Sequence, residues 1–308
     1  MQAFDFFADL VNPQLGFLPR ALVAAVLSAA VCAVVGCHVV LRGTAFIGDA
    51  VSHAVFPGVA VAFVLGGNVL VGGAVAGVVS ALLITLLGRG RLLKEDSAIG
   101  VVFVAAFAVG LIVISRSPGY TGSLESFLFG SIAAVSGEEI PVLAGLGALL
   151  VGVCLLLTRS FLAVTLDRES ARALGLPVLA LDAALNVLVT LAIVLSLHIV
   201  GNVLVVALLI APAASARLLT DQMGRMLLLA PVIGAIEAFA GLWAAWTLDL
   251  PVGATVVLAC TAGFLLARLA APRHGLWRRM LSRGSRAAGE ESAPGPSAGE
   301  LSAPAASR

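Results

Sequence analysis

The sequence predicts an all-α fold, a polytopic transmembrane helical bundle of about eight or nine spans. Three observations carry that prediction. Of 308 residues, 60% are hydrophobic and 11% charged, with a mean hydropathy of +1.11; soluble domains carry charge on about a quarter of their residues. Apolar stretches of about 20 residues, each enough to cross a hydrocarbon core as a helix, recur from Phe17 to Leu269 with brief polar interruptions. Strands of alternating polarity, the mark of a membrane barrel, are not seen in the pattern, so the backbone must satisfy itself within helices.

Taken in order, the candidate spans lie near 17–41, 46–65, 69–87, 98–114, 139–158, 179–197, 200–219, 227–247 and 251–269. Basic residues follow every second span: Arg42, then Arg89, Arg91 and Lys94, then Arg159, Arg168 and Arg172, then Arg217 and Arg225, then Arg268 and Arg273. The loops between hold almost none, apart from Arg116. The positive-inside rule therefore puts the N-terminus outside and the C-terminus in the cytoplasm. The opening "MQAFDFFADLVNP" has two acids and no basic residue, so no cleavable signal peptide is expected. An Ala, Val and Gly bias with nearly all-Arg basic residues suits a GC-rich bacterial genome, hence a multi-pass protein of the bacterial cell membrane. Residues 1–277 form the membrane domain. Residues 278–308, basic at first and then rich in Ala, Ser, Pro, Gly and Glu, read as a disordered cytoplasmic tail.

A net charge of +1, split between two membrane faces, gives no support to nucleic-acid binding. Cys32, Cys37, Cys154 and Cys260 all lie in apolar spans without a CxxC, which indicates packing rather than a disulfide framework or a zinc ribbon. A soft cluster of Cys32, Cys37 and His38 is disfavoured, because residues five apart on a helix point about 140° away from each other.

The stretch "GDAVSHAVFPG", residues 48–58, is the sharpest chemical signal. On a helix Asp49 and His53 differ by about 40° around the axis and share a face. A carboxylate oxygen with an imidazole nitrogen suits Mn(II), Fe(II) or Zn(II). Two ligands are too few for a closed structural zinc site, and that incompleteness suits an ion that must leave again. A twofold dimer with this helix near its axis would double the set. The plainer alternative is that Asp49 and His53 pair with each other, or cap a helix end. Pro57 and Gly58 loosen the helix one turn further on, where freed carbonyls can line a path.

Other polar groups are sparse. Asn202 lies near the outer end of a span that Pro212 should kink, and an ordinary kinked helix explains it as well as an intramembrane polar site does. Glu237 falls in mid-span, where an unpaired acid is costly; it is expected to face the protein interior as a neutral acid or acceptor, with a direct ion role as the alternative. Gly73 and Gly77 make a GxxxG helix-contact signal. His198 and Asp249 fall at outer ends. Between two spans, residues 166–182 read as a short amphipathic helix, apolar at Ala171 and Leu174, polar at Arg168, Glu169 and Arg172, and ended by Gly175 and Pro177. Such a knob can enter a partner's groove. The only lysine, Lys94, follows Leu93 rather than a glycine, so no Walker A loop is encoded and any ATPase must be another chain.

Four blocks in order, "GDAVSHAVFPGVAVAF", "EDSAIGVVFVAAFAVGLIV", "RESARALGLPV" and "VGNVLVVALLIAPAASARLL", resemble the signature blocks of the manganese/zinc/iron permease family of ABC importers, over about residues 15–270. The resemblance implies a permease that is no enzyme itself, paired with a second copy or a paralogue. It also implies two ATP-binding cassette subunits and an extracytoplasmic metal-binding protein. No cofactor is permanently bound; the divalent metal ion is cargo. Asp49 and His53 match the family's metal path, and Arg168, Ala171, Gly175 and Leu176 its ATPase-coupling helix. Two rivals come from other classes: an ion-coupled secondary carrier using Glu237, and a membrane component of a surface-protein export or anchoring system that reuses the permease fold.

Overall fold

The computed structural model describes residues 2–88, 95–116 and 135–271, and every regular element among them is helical. A short α1 (Gln2–Val11) and a 3-10 turn (Pro13–Leu15) lead into α2 (Phe17–Arg42). Then come α3 (Phe46–Ala54), α4 (Phe56–Val64), α5 (Val69–Leu87), α6 (Glu95–Ser115) and α7 (Glu139–Leu166). A short α8 (Arg168–Ala173) connects to α9 (Val178–Val200), α10 (Asn202–Leu219), α11 (Met223–Leu248) and α12 (Val252–Ala270). Among the described residues, nine segments are long and apolar enough to cross a membrane, with α3 and α4 together making one of them. The basic tail 278–308, and the loop cations Arg89, Arg91 and Lys94, lie outside the described residues.

Two spans differ from the sequence expectation. The fifth runs to Leu166 rather than 158, because nothing in "TRSFLAVTL" breaks a helix before Asp167 turns extended at φ −153°. The second, expected as one helix over 46–65, is broken at Val55. Pro57 is the reason: it has no N–H to give the His53 carbonyl four residues back, so the ladder stops and restarts with Pro57 in the first turn of α4.

Helix α2 is the centre. It packs on α7, α9, α10 and α11, and its buried face is built of Ala24, Ala25, Ala29, Cys32, Ala33, Gly36 and Cys37. Around it, α5, α6, α7 and α12 turn apolar side chains such as Leu156 (84% exposed), Val101 and Leu258 outward, which is the surface a bilayer would cover. Against lipid, apolar burial does not drive helices together, so close backbone approach must. At Gly36 an added Cβ would lie 1.8 Å from the Leu209 carbonyl oxygen of α10. At Gly58 it would lie 2.0 Å from the Gly72 oxygen, across the α4–α5 crossing. The Gly73/Gly77 pair also faces a contact, since both approach Val55 at the helix break.

Gly36→Val should therefore cost about 1–3 kcal/mol, read as a lower melting temperature in detergent, while Gly145→Val, with open space around it, should not. Equal melting of both variants would contradict so tight an α2–α10 approach.

Depth is set by the same contacts. The Cys32 sulfur lies 3.5 Å from the Ser196 hydroxyl, and Gly36 abuts Leu209. The α9–α10 turn therefore lies beside the N-terminal half of α2, five residues beyond the Ser196–Cys32 contact. Asn202, expected near the outer end of its span, is the first residue of α10 and is 2% exposed inside the bundle, and His198 lies in the last turn of α9. Gly201 permits the α9–α10 turn. At φ +86° and ψ 162° it takes a conformation closed to L side chains, so α9 passes directly into α10.

Candidate metal-path site

The α3–α4 break and the α9–α10 turn meet, and at their meeting point stands His53. Asp49, in the first turn of α3, brings its Oδ1 to 3.7 Å from the His53 Nε2. In the same turn the Ser52 hydroxyl donates to the Asp49 backbone carbonyl at 2.7 Å. Helix α6 supplies two rings around the imidazole, Phe103 at 5.3 Å and Phe107 at 5.6 Å between centroids. From α10 the Asn202 side-chain nitrogen lies 3.4 Å from both ring nitrogens. The Asp49 side chain is 54% exposed and that of His53 23%. One oxygen and one nitrogen donor are therefore open on one side and walled by aromatic and apolar groups on the other. Among the described residues no group of three or more His, Cys, Asp or Glu side chains is placed to hold a metal. An ion at Asp49 and His53 would keep part of its water shell or draw donors from elsewhere.

The other polar candidates fall apart from this point. Glu237 is 5% exposed and belongs to the α11–α12 interface; its carboxyl lies so flat on Gly263 that a Cβ there would come within 2.2 Å of Oε1. Among the described residues neither of its oxygens has a hydrogen-bond donor at bonding distance, though the Cys260 thiol is a close polar neighbour. His38 is buried and bonded at 3.3 Å to the Thr158 hydroxyl, and all four cysteines are free and buried, as packing residues should be. Asp249 ends α11 in the left-handed region at φ +53°.

At the opposite end, Asp182 of α9 gathers the chain. Its carboxylate accepts from Arg42 Nη1 of α2 at 2.7 Å and from Arg168 Nη2 of α8 at 2.5 Å. Arg42 also donates through Nε to Thr165 of α7 at 3.3 Å. Helix α8 begins where the Asp167 carboxylate accepts from the Glu169 N–H at 2.9 Å and the Ser170 hydroxyl at 2.5 Å. The Ser170 hydroxyl is the largest cause that holds the Asp167 carboxyl below its ordinary range, with backbone N–H groups adding to it. Gly175 closes α8 at φ +79°. The apolar pair expected for this knob divides: Ala171 is 1% exposed against the chain's own core, whereas Leu174 is 77% exposed.

Residues 14–271 match the ABC 3 transport family. The chain belongs to that family. Among its relatives, the manganese transport system membrane protein MntC of Halalkalibacterium halodurans is 40% identical over 287 residues, covering 93% of this chain and 98% of the relative. The chelated iron transport system membrane protein YfeC of Yersinia pestis is 35% identical, covering 84% and 88%. The solved structure of PsaBC from Streptococcus pneumoniae in complex with Fab superposes with a TM-score of 0.78 at 34% identity, covering 88% of this chain and 96% of that one. As a member of this family the chain is a membrane-spanning ABC transporter permease, and neither the carrier nor the export reading gains support.

Sequence reasoning placed Asp49 and His53 together but missed what surrounds them. Phe103 and Phe107 carried a signal, being four apart and so on one face of α6. Asp182 and Arg42 carried none beyond marking span ends.

Proposed function

We propose that this chain is the membrane-spanning permease subunit of an ATP-driven importer of a divalent transition metal, with manganese as the first cargo and iron as the second. One observation carries it: within an ABC 3 family fold, an Asp–His pair stands at a broken span inside the bundle, at a 3.7 Å separation and with one side open. The names of the relatives as manganese and iron transport proteins support the choice of metals. The donor set agrees with it, since carboxylate favours the harder ions and imidazole accepts iron as readily as zinc.

In this reading an extracytoplasmic binding protein delivers the ion at the outer face. Asp49 and His53 take it partly dehydrated, exchanging a few waters for one oxygen and one nitrogen, while Phe103 and Phe107 keep bulk water from the imidazole. A second permease copy or a paralogue supplies the facing half of the path. Two ATPase subunits bind at the cytoplasmic end, with the N-terminus outside and the C-terminus inside. Helix α8 is the coupling element: Leu174, Arg172 and Glu169 are turned outward for the partner, while Ala171 and the Arg168–Asp182 bridge fasten it to α9. Gly175 and Leu176 then form its closing turn. ATP-driven motion of α8 reaches α2, α7 and α9 through the Asp182 node, and so reorients the bundle around the site.

The test is elemental analysis of metal-limited cells lacking this gene and redundant importers. A selective manganese deficit, restored by the wild-type gene, is the expected result. Equal manganese, iron and zinc contents with and without the gene would overturn the importer reading.

A further inference from the structure

We infer that Asn202 is a third donor on the ion path, its side-chain carbonyl oxygen acting with Asp49 and His53, and that it tunes the site toward the harder ion manganese over zinc. The inference rests on the passage reading above and deepens it.

The first observation is an amide whose hydrogen bonding is incomplete. Asn202 is 2% exposed, yet among the described residues its Oδ1 has no hydrogen-bond partner. A buried acceptor without a donor costs about 1–3 kcal/mol and calls for a reason. Turning the amide over does not remove the deficit. It brings the oxygen to the His53 nitrogens and leaves the NH2 group in the unpartnered place. Neutral neighbours thus leave one amide atom unsatisfied in either orientation, whereas a cation between the amide oxygen and the imidazole would take up the oxygen's lone pair.

The second observation is spacing. Donors held about 2.1 Å from one ion at tetrahedral or octahedral angles stand about 3.0–3.4 Å from each other. The Asn202 amide atom is 3.4 Å from each ring nitrogen of His53, and the Asp49 oxygen is 3.7 Å from Nε2. Both separations from His53 thus fall within a few tenths of an ångström of that spacing. The ring is not committed to the amide either, because a donor equidistant from both nitrogens cannot lie along the diverging in-plane lone pairs of both.

The third is placement by backbone. Gly201 at φ +86° sets Asn202 at the first residue of α10, beside His53 and the α3–α4 break. The positive end of α10 lies at the same spot. It loosens a cation's hold, as a way station requires. Two oxygens and one nitrogen make a harder set than Asp49 and His53 alone, and carbonyl oxygens suit manganese better than zinc.

The test uses cells expressing the full importer, with Asn202→Leu, Asn202→Asp, Asn202→His and His53→Ala at matched membrane abundance. Initial uptake of radiolabelled manganese and its competition by zinc are measured. Asn202→Leu is expected to cut manganese uptake about tenfold, and Asn202→Asp, which keeps an oxygen donor, to retain at least about half. Asn202→His should make zinc a stronger competitor. Manganese uptake by Asn202→Leu within about twofold of wild type would overturn the inference. So would an Asn202→Asp loss as deep as that of Asn202→Leu with unchanged zinc competition, which is the mark of a packing role. If His53→Ala transports normally, the passage site itself falls. If His53→Ala is inactive and Asn202→Leu is normal, only the third donor falls.

Discussion

His53→Ala is expected to lower manganese uptake by at least about tenfold, since even partners one shell beyond a metal commonly cost 10–100-fold, while the protein still reaches the membrane in normal amount. The reason for expecting the two effects to separate is where the ring sits. His53 touches Phe103, Phe107 and Asn202, none of which forms the close backbone crossings at Gly36 and Gly58 that hold the bundle. Asp49→Ala should act in the same direction. The double variant should lose little beyond the worse of the two singles, because two ligands of one ion act as a unit. Uptake kinetics in membrane vesicles, with abundance measured by blotting, decide it. Full uptake by His53→Ala would remove the imidazole from the path.

Asp182→Ala is expected to be the most damaging change at the Arg42 end of α2. The Asp182 and Arg42 side chains are 12% and 8% exposed, and removing one partner of a buried pair costs about 3–5 kcal/mol because it strands the other charge. Arg168, at 48% exposure, adds less, since solvent screens it. The expected result is a sharply lower melting temperature and reduced membrane yield. A milder Asp182→Asn should keep the fold but weaken the tie between α8 and α9. In that variant ATP hydrolysis in the assembled importer should continue while metal uptake falls, the signature of lost coupling. Normal stability in Asp182→Ala would mean that the two arginines do not depend on this carboxylate.

The candidate spans were legible because a bilayer allows few solutions. Runs such as 69–87 and 227–247 can only be helices in hydrocarbon, and Arg and Gly at their ends mark where they stop. The break at Val55 was half legible: Pro57 announced a loosened helix but not that the ladder would stop two residues after His53. The pairing of Asp49 with His53 followed from helical periodicity alone. The burial of Asn202 did not. Polar residues at the end of an apolar run read as an interface, and nothing local says that the α9–α10 turn packs beside His53. That depends on contacts of α9 and α10 with α2, such as Ser196 with Cys32 and Leu209 with Gly36. Ala171 was misread in its direction for a related reason: a six-residue helix has too few positions for periodicity to show which side faces the core.

By itself the sequence determined that this is a polytopic helical membrane protein of the ABC 3 type, with one Asp–His pair on one helix face and no nucleotide-binding loop of the Walker A kind. Those facts are local in the chain: composition, run length, i to i+4 spacing and ordered motifs. Only the tertiary structure decided that Asn202, Phe103 and Phe107 stand around His53, and that Asp182 holds both Arg42 and Arg168. Asn202 and His53 are 149 positions apart and Arg42 and Asp182 140. Separations of that size are closed by which helices pack together and at what height. Glycine contacts between backbones set that packing, and no periodicity along the chain encodes it.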